Sequence, residues 1–219
     1  MTETTPATTS APAPAEPTVL GFGIAEIAYL LSLGTGPQAD KSRRLLTVGP
    51  DMTAPVMLAA GASSLLARGL VRVDGDAVIP NAGAEYVAFA FAASYRWTEV
   101  GLQNERKPEF ALYFQAPEVS LLLQPAALGS WFAVIKDPAA TDAEMLRQVI
   151  EQGTSALEPA AVLFGSSTLS DETNYFVRRN GGGGWDVAHV TPAGEQQRRP
   201  AVSESALLAD LQALTQAPA

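Results

Sequence analysis

Two stretches of this chain repeat one order of elements, and that repetition constrains the fold more than any single residue does. The first opens with a strand-like run around Trp97–Gln103 and continues with Phe110–Phe114, Val119–Gln124 and Trp131–Ile135. It closes with a helix-spaced stripe from Thr141 carrying Met145, Leu146, Val149 and Ile150. The second opens with Ala161–Ser167 and continues with Asn174–Arg179, Trp185–Val190 and Gln196–Arg199. It closes with a stripe from Ser203 carrying Leu207, Leu208, Leu211 and Leu214. Each closing stripe starts at a hydroxyl residue suited to capping a helix. Thr141-Asp-Ala-Glu144 is a full capping box, whereas Ser203 lacks the glutamate three residues on. Pro125 to Gly129 and Pro192 to Gly194 mark matching turns. The expected body is α+β: two pseudo-repeated antiparallel β-meander-plus-helix units spanning 96–219.

The part before that body reads differently. Residues 1–17 are Thr, Ala, Pro and Glu with little to bury, and are expected to be a disordered tail. Residues 18–95 read as a helical, winged-helix-like segment that shares one compact domain with the body. Ile24, Ile27, Leu30 and Leu31 recur at helical spacing, and Gly34, Gly36 and Pro37 are expected to stop that helix. Lys41, Arg43 and Arg44 then read as a basic loop. Asp51 to Pro55 reads as a helix start and Ser63 to Val71 as a second helix stopped by Gly69. Asp74-Gly75 between β-branched runs predicts a hairpin. A further helix is expected over 82–93, with Tyr86, Phe89 and Ala93 on one face.

Composition narrows the chemistry. The chain has no cysteine, which removes thiolate nucleophiles, disulfides and cysteine metal sites. Its one histidine, His189, excludes a His–His metal pair and leaves one base for any relay. With 14 Lys and Arg against 23 Asp and Glu, the net charge of −9 disfavours nucleic acid and anionic membranes. The N-terminus has neither a cationic start nor an apolar run, and the sequence holds no uninterrupted apolar stretch of about 18 residues. A cytoplasmic protein is expected, without membrane contact, metal or small-molecule cofactor, and not an enzyme.

Several motifs admit two readings. Ser63 to Pro80 has the look of a recognition helix and wing, usable as a DNA reader or as scaffold alone. Asp74 and Asp76 on the wing would face phosphate, which favours scaffold. Asn180 to Gly184 could cradle a phosphate, but the strand-like Trp185–Val190 after it points to a hairpin connection. His189 is in phase with Trp185 and Val187, and no other residue completes a relay with it. Asp171-Glu172 and Asp137, Asp142 and Glu144 sit in a polar loop and at a helix start, where carboxylates are ordinary. Leu121-Leu122-Leu123 puts apolar side chains on both faces of its strand, so it is either sandwiched or open to a partner.

The run Ile24-Ala-Glu26-Ile27-Ala-Tyr-Leu30-Leu31, the Arg68-Gly69-Leu70 segment, a short hairpin and two meander-plus-helix units together resemble the EspG family. These are cytosolic chaperones of actinobacterial type VII secretion, and the resemblance covers about residues 19–215. It implies binding the helical tip of a secreted client and keeping it soluble. The expected function is therefore that of a secretion chaperone or adaptor. One sheet face is expected to be uncovered and to hold an apolar helix, with Tyr113, Leu121, Leu123 and Trp185 as contacts. The alternative is a winged-helix transcription regulator binding DNA through exposed Arg68 and Arg72.

Overall fold

The computed structural model describes residues 19–103, 109–155, 161–191 and 193–217. The tail 1–17 and Pro192 of the second expected turn lie outside these residues. The fold is α+β, built around a nine-stranded antiparallel sheet. Strand β1 (Val19–Phe22) is followed by helices α1 (Ile24–Ser32), α2 (Pro37–Leu45) and α3 (Pro55–Ala67). The hairpin β2 (Val71–Asp74) and β3 (Ala77–Pro80) leads to α4 (Ala84–Ala93). Then come β4 (Arg96–Gln103), β5 (Glu109–Gln115), β6 (Ser120–Pro125), β7 (Trp131–Ile135) and α5 (Asp142–Ser155). Last are β8 (Ala161–Ser167), β9 (Glu172–Arg179), β10 (Trp185–Val190), β11 (Gln196–Val202) and α6 (Glu204–Thr215).

The strand order is β1-β7-β6-β5-β4-β8-β9-β10-β11. Each meander therefore runs outward from a central β4–β8 seam, where Trp97 pairs with Ser167 and Gln103 with Ala161. The closing helices begin where the hydroxyl residues stand. Thr141 N–H donates to Glu144 Oε2 at 2.7 Å, and Glu144 N–H donates back to Thr141 Oγ1 at 3.2 Å. Ser203 Oγ accepts from Ala206 N–H at 3.2 Å.

Three details of the N-terminal part depart from expectation. Lys41, Arg43 and Arg44 stand on α2, because Pro37 occupies its first turn, where a missing N–H costs nothing. The expected helix start at Asp51–Pro55 and helix over Ser63–Val71 belong to one α-helix, α3, which a single 3₁₀ turn (Pro50–Thr53) precedes and which ends before β2. Strand β1 was not foreseen; it adds to the sheet edge through pairs such as Leu20 with Ala133. Tyr86 and Phe89 are both on the exposed side of α4, which buries Ala84, Val87, Ala90 and Phe91.

The hairpin after α3 is set by local chemistry. Leu70 N–H donates to Leu65 O at 2.9 Å and Gly69 N–H to Leu66 O at 3.0 Å, while Gly69 has φ +71. That is a Schellman stop with both of its apolar partners, Leu65 and Leu70, buried. The helices of this part interlock closely: a methyl at Gly61 would overlap the Ala25 carbonyl of α1.

Two cores sit on opposite faces of the sheet. One joins α1, α3 and α4 to Trp97, Leu112, Phe114, Leu121, Leu123 and Ala133. The other joins α5 and α6 to Val100, Tyr113, Leu122, Phe164, Tyr175, Val177, Trp185 and Val187. The first core takes no residue from β8 to β11.

Candidate partner-binding face

Strand alternation sorts the second meander into two faces. Val162, Phe164, Tyr175, Val177, Trp185 and Val187 turn toward α5 and α6. Leu163, Phe176 and Ala188 turn the other way, where they share no core with α1–α4. The register aligns them in one transverse row. Phe110 pairs with Gly101, Gly101 with Leu163, Leu163 with Phe176, Phe176 with Ala188, and Ala188 with Arg198. Phe110, near the start of β5, and Phe176, in the middle of β9, keep 39% and 37% of their surface in solvent, high for large apolar side chains in a sheet. A groove of about 600 Å³ lies along this face, lined chiefly by Ala161, Phe176, Ala188, Val190 and Pro200 with Arg178, Asp186 and Arg198 at its margins.

The four contacts expected from sequence lie elsewhere. Leu121 and Leu123 have no exposed surface because α1 and α4 cover their face. Tyr113 and Trp185 are buried on the opposite face under α5 and α6. Tyr113 O–H donates to Asp142 Oδ1 at 2.6 Å, and Trp185 Nε1 donates to Glu204 Oε2 at 2.7 Å. Arg179 stacks on the Trp185 ring at 4.5 Å. These residues do not form a surface; the structure corrects that expectation, because residues 24–93 cover Leu121 and Leu123 while α5 and α6 cover Tyr113 and Trp185. The open face belongs to the other half of the sheet. Its sequence signal is Phe176, an apolar residue out of phase with Tyr175 and Val177.

The margins of the groove are ordered by charge. Arg178 Nη2 meets Asp186 Oδ2 at 3.0 Å, and Asp186 Oδ1 accepts from Ala201 N–H at 3.2 Å. That backbone donor and the guanidinium hold the Asp186 carboxyl below its usual range. Pro200, which has no N–H, and Ala201, with φ +55, interrupt the edge strand β11.

A second pocket, of about 480 Å³, opens under α6 beside His189. His189 Nε2 and Thr173 Oγ1 are 2.6 Å apart. Asp210 accepts from Tyr175 O–H at 2.6 Å and is ion-paired with Arg199. Burial, reinforced by Asp210, pushes the Tyr175 hydroxyl above its ordinary value. Among the described residues no carboxylate is bonded to His189, so the histidine and Asp210 do not make a relay. The glycine loop is a β9–β10 connection: Gly182 and Gly184 N–H groups both donate to Asn180 Oδ1 at 3.0 Å.

Arg68 and Arg72 are engaged within the chain. Arg68 Nη1 meets Glu26 Oε2 at 2.7 Å, and its Nη2 donates to Gly21 O at 2.8 Å. Glu26 also accepts from Ser64 Oγ at 2.7 Å and Gly23 N–H at 2.8 Å. Arg72 pairs with Asp74 at 3.1 Å. Among the described residues no helix is long and apolar enough to cross a membrane, and no three His, Asp or Glu side chains cluster as a metal site. No protein-family model matches the chain, and no curated protein matches it.

Proposed function

We propose that this chain is a non-catalytic, cytosolic protein-binding protein, a secretion chaperone or adaptor of the EspG type, that seats an apolar helix of its client on the open face of β8–β11. One observation carries the reading. The sheet has helices of its own chain over both faces of the first meander and over one face of the second. The face of the second meander away from α6 has none, yet presents Leu163, Phe176 and Ala188 in a row. Four strands spaced about 4.8 Å apart make a strip roughly 15 Å wide, and a helix about 10 Å across fits it. A helix is the element that completes such a layer, as α1 and α4 do next door. Seating it would remove apolar surface of both partners from water, which keeps an aggregation-prone client soluble.

In the same reading 96–219 is a pseudo-repeat, supported by meanders that run outward from one seam and end in capped helices. The segment α3–β2–β3 is a winged-helix-like scaffold. DNA binding by that segment ranks second, because Arg68 is held by Glu26 and Arg72 by Asp74.

The experiment is capture from native cell extract at moderate and high salt, with the wild type beside Phe176→Asp. A helical protein retained by the wild type at both salts and lost with the variant is the expected result. Equal retention by a folded variant would remove this face from the reading. DNA retained at low salt alone would promote the regulator.

A further inference from the structure

If the open face of β8–β11 seats the client helix, as proposed above, the charges around it select among helices. By strand alternation the charged side chains on this face of β4 and β8–β11 are Glu99, Glu172, Arg178, Asp186 and Arg198. Arg178 and Asp186 neutralise each other. Glu172 and Glu99 act on Lys41, which reaches across from α2 to the Thr168 carbonyl. Burial pushes the Lys41 ammonium below its ordinary value, and the two glutamates work against that.

One Lys41 cannot balance both glutamates, but they lie toward α2, and Arg198 is the cation of this face that remains on the β11 side. It is exposed, stands beside Ala188 at the end of the apolar row, and donates to Gln196 Oε1 at 2.8 Å. Among the described residues no carboxylate lies within ion-pair distance of its guanidinium. A helix laid over Phe176 and Ala188 would take water from one side of that cation. A neutral or basic flank would leave it part-desolvated and unpaired, whereas a carboxylate would engage two of its N–H groups at once.

We infer that the client is an acidic amphipathic helix whose apolar stripe is flanked, on the side lying over β11, by a carboxylate that pairs with Arg198. The net charge of −9 does not oppose this at physiological salt. Charges more than about 8 Å from the contact are largely screened there, while Arg198 acts at contact distance.

The test uses two synthetic helical peptides with the same leucine stripe, one flanked by glutamates and one by lysines. Each is titrated into the full chain, into Arg198→Glu and into Phe176→Asp, with circular dichroism checking that the variants fold. The wild type is expected to bind the glutamate peptide about tenfold more tightly at physiological salt, with the gap narrowing as salt rises further. Arg198→Glu should reverse the preference. Equal affinities in the wild type, or a preference unchanged in Arg198→Glu, would overturn the charge inference. If both peptides nevertheless bind and Phe176→Asp abolishes it, the apolar seat stands and the charge selection alone falls. Binding of neither peptide to the wild type would overturn both.

Discussion

In the first meander, Ala111–Ala116 and Val119–Leu123 are buried residue after residue. In the second, Tyr175 and Val177 are buried while Phe176 between them is 37% exposed. The strand order is shared, so the contrast comes from the helices. Residues 24–93 cover one face of the first meander, and α5 and α6 cover the other faces. A strand covered twice is written as a continuous apolar run, and a strand covered once as an alternation. Phe176 and Ala188 break that alternation on the uncovered side, and the break marks the face on which the proposed function rests.

The widest difference between the halves should appear in stability. Leu121→Ala or Leu123→Ala should cost about 2–5 kcal/mol, since each removes a fully buried side chain from a packed core. Phe176→Ala should cost about 1 kcal/mol or less, because much of the ring is already in water. Denaturant midpoints measure both; equal losses would break the comparison.

Gly61→Ala sharpens it. A methyl there meets the Ala25 carbonyl, so α1 and α3 must separate, at about 1–3 kcal/mol. Hydrogen exchange should quicken in α1, α3 and the first meander and stay unchanged in β9 and β10. Uniform quickening would mean that the two halves are one cooperative unit.

The smallest effect is set by pH, and the halves share it. Tyr113 and Tyr175 are both raised, by burial first and then by Asp142 and Asp210 respectively. A raised folded value favours the protonated hydroxyl in the fold. The stability is therefore complete below the ordinary tyrosine value of about 10 and is lost as pH rises past it. Melting temperatures from pH 8 to 11 should fall, and fall less in Tyr113→Phe, whose hydroxyl is the more deeply buried of the pair. A fall of the same size in Tyr113→Phe would assign the loss to other groups.

The body was largely legible in the sequence. Trp131–Ile135, Ala161–Ser167 and Trp185–Val190 are strands with those bounds, and both closing helices start at their hydroxyl caps. Alternation and caps are local signals, which is why they could be read. Strand β1 has four residues without alternation, and its partner β7 is remote in the chain. Helix α2 carries few apolar residues, and its Gly36-Pro37 start looks like a stop. Which face stays open depended on where α1–α4 dock, a non-local outcome that the run Leu121–Leu123 leaves undetermined. Tyr113, Leu121 and Leu123 were consequently expected on the half that is covered twice, and Trp185 on the covered face of the other half.

A photo-crosslinking residue at position 188, on the open row, tests the central claim most directly, with a control at Leu128, a wholly exposed side chain away from that row. In native cells the account predicts crosslinks from position 188 to a helical segment of one client, mapped by mass spectrometry, with none from 128. Crosslinks of equal yield from both positions, or a client captured while position 188 stays unlinked, would contradict it.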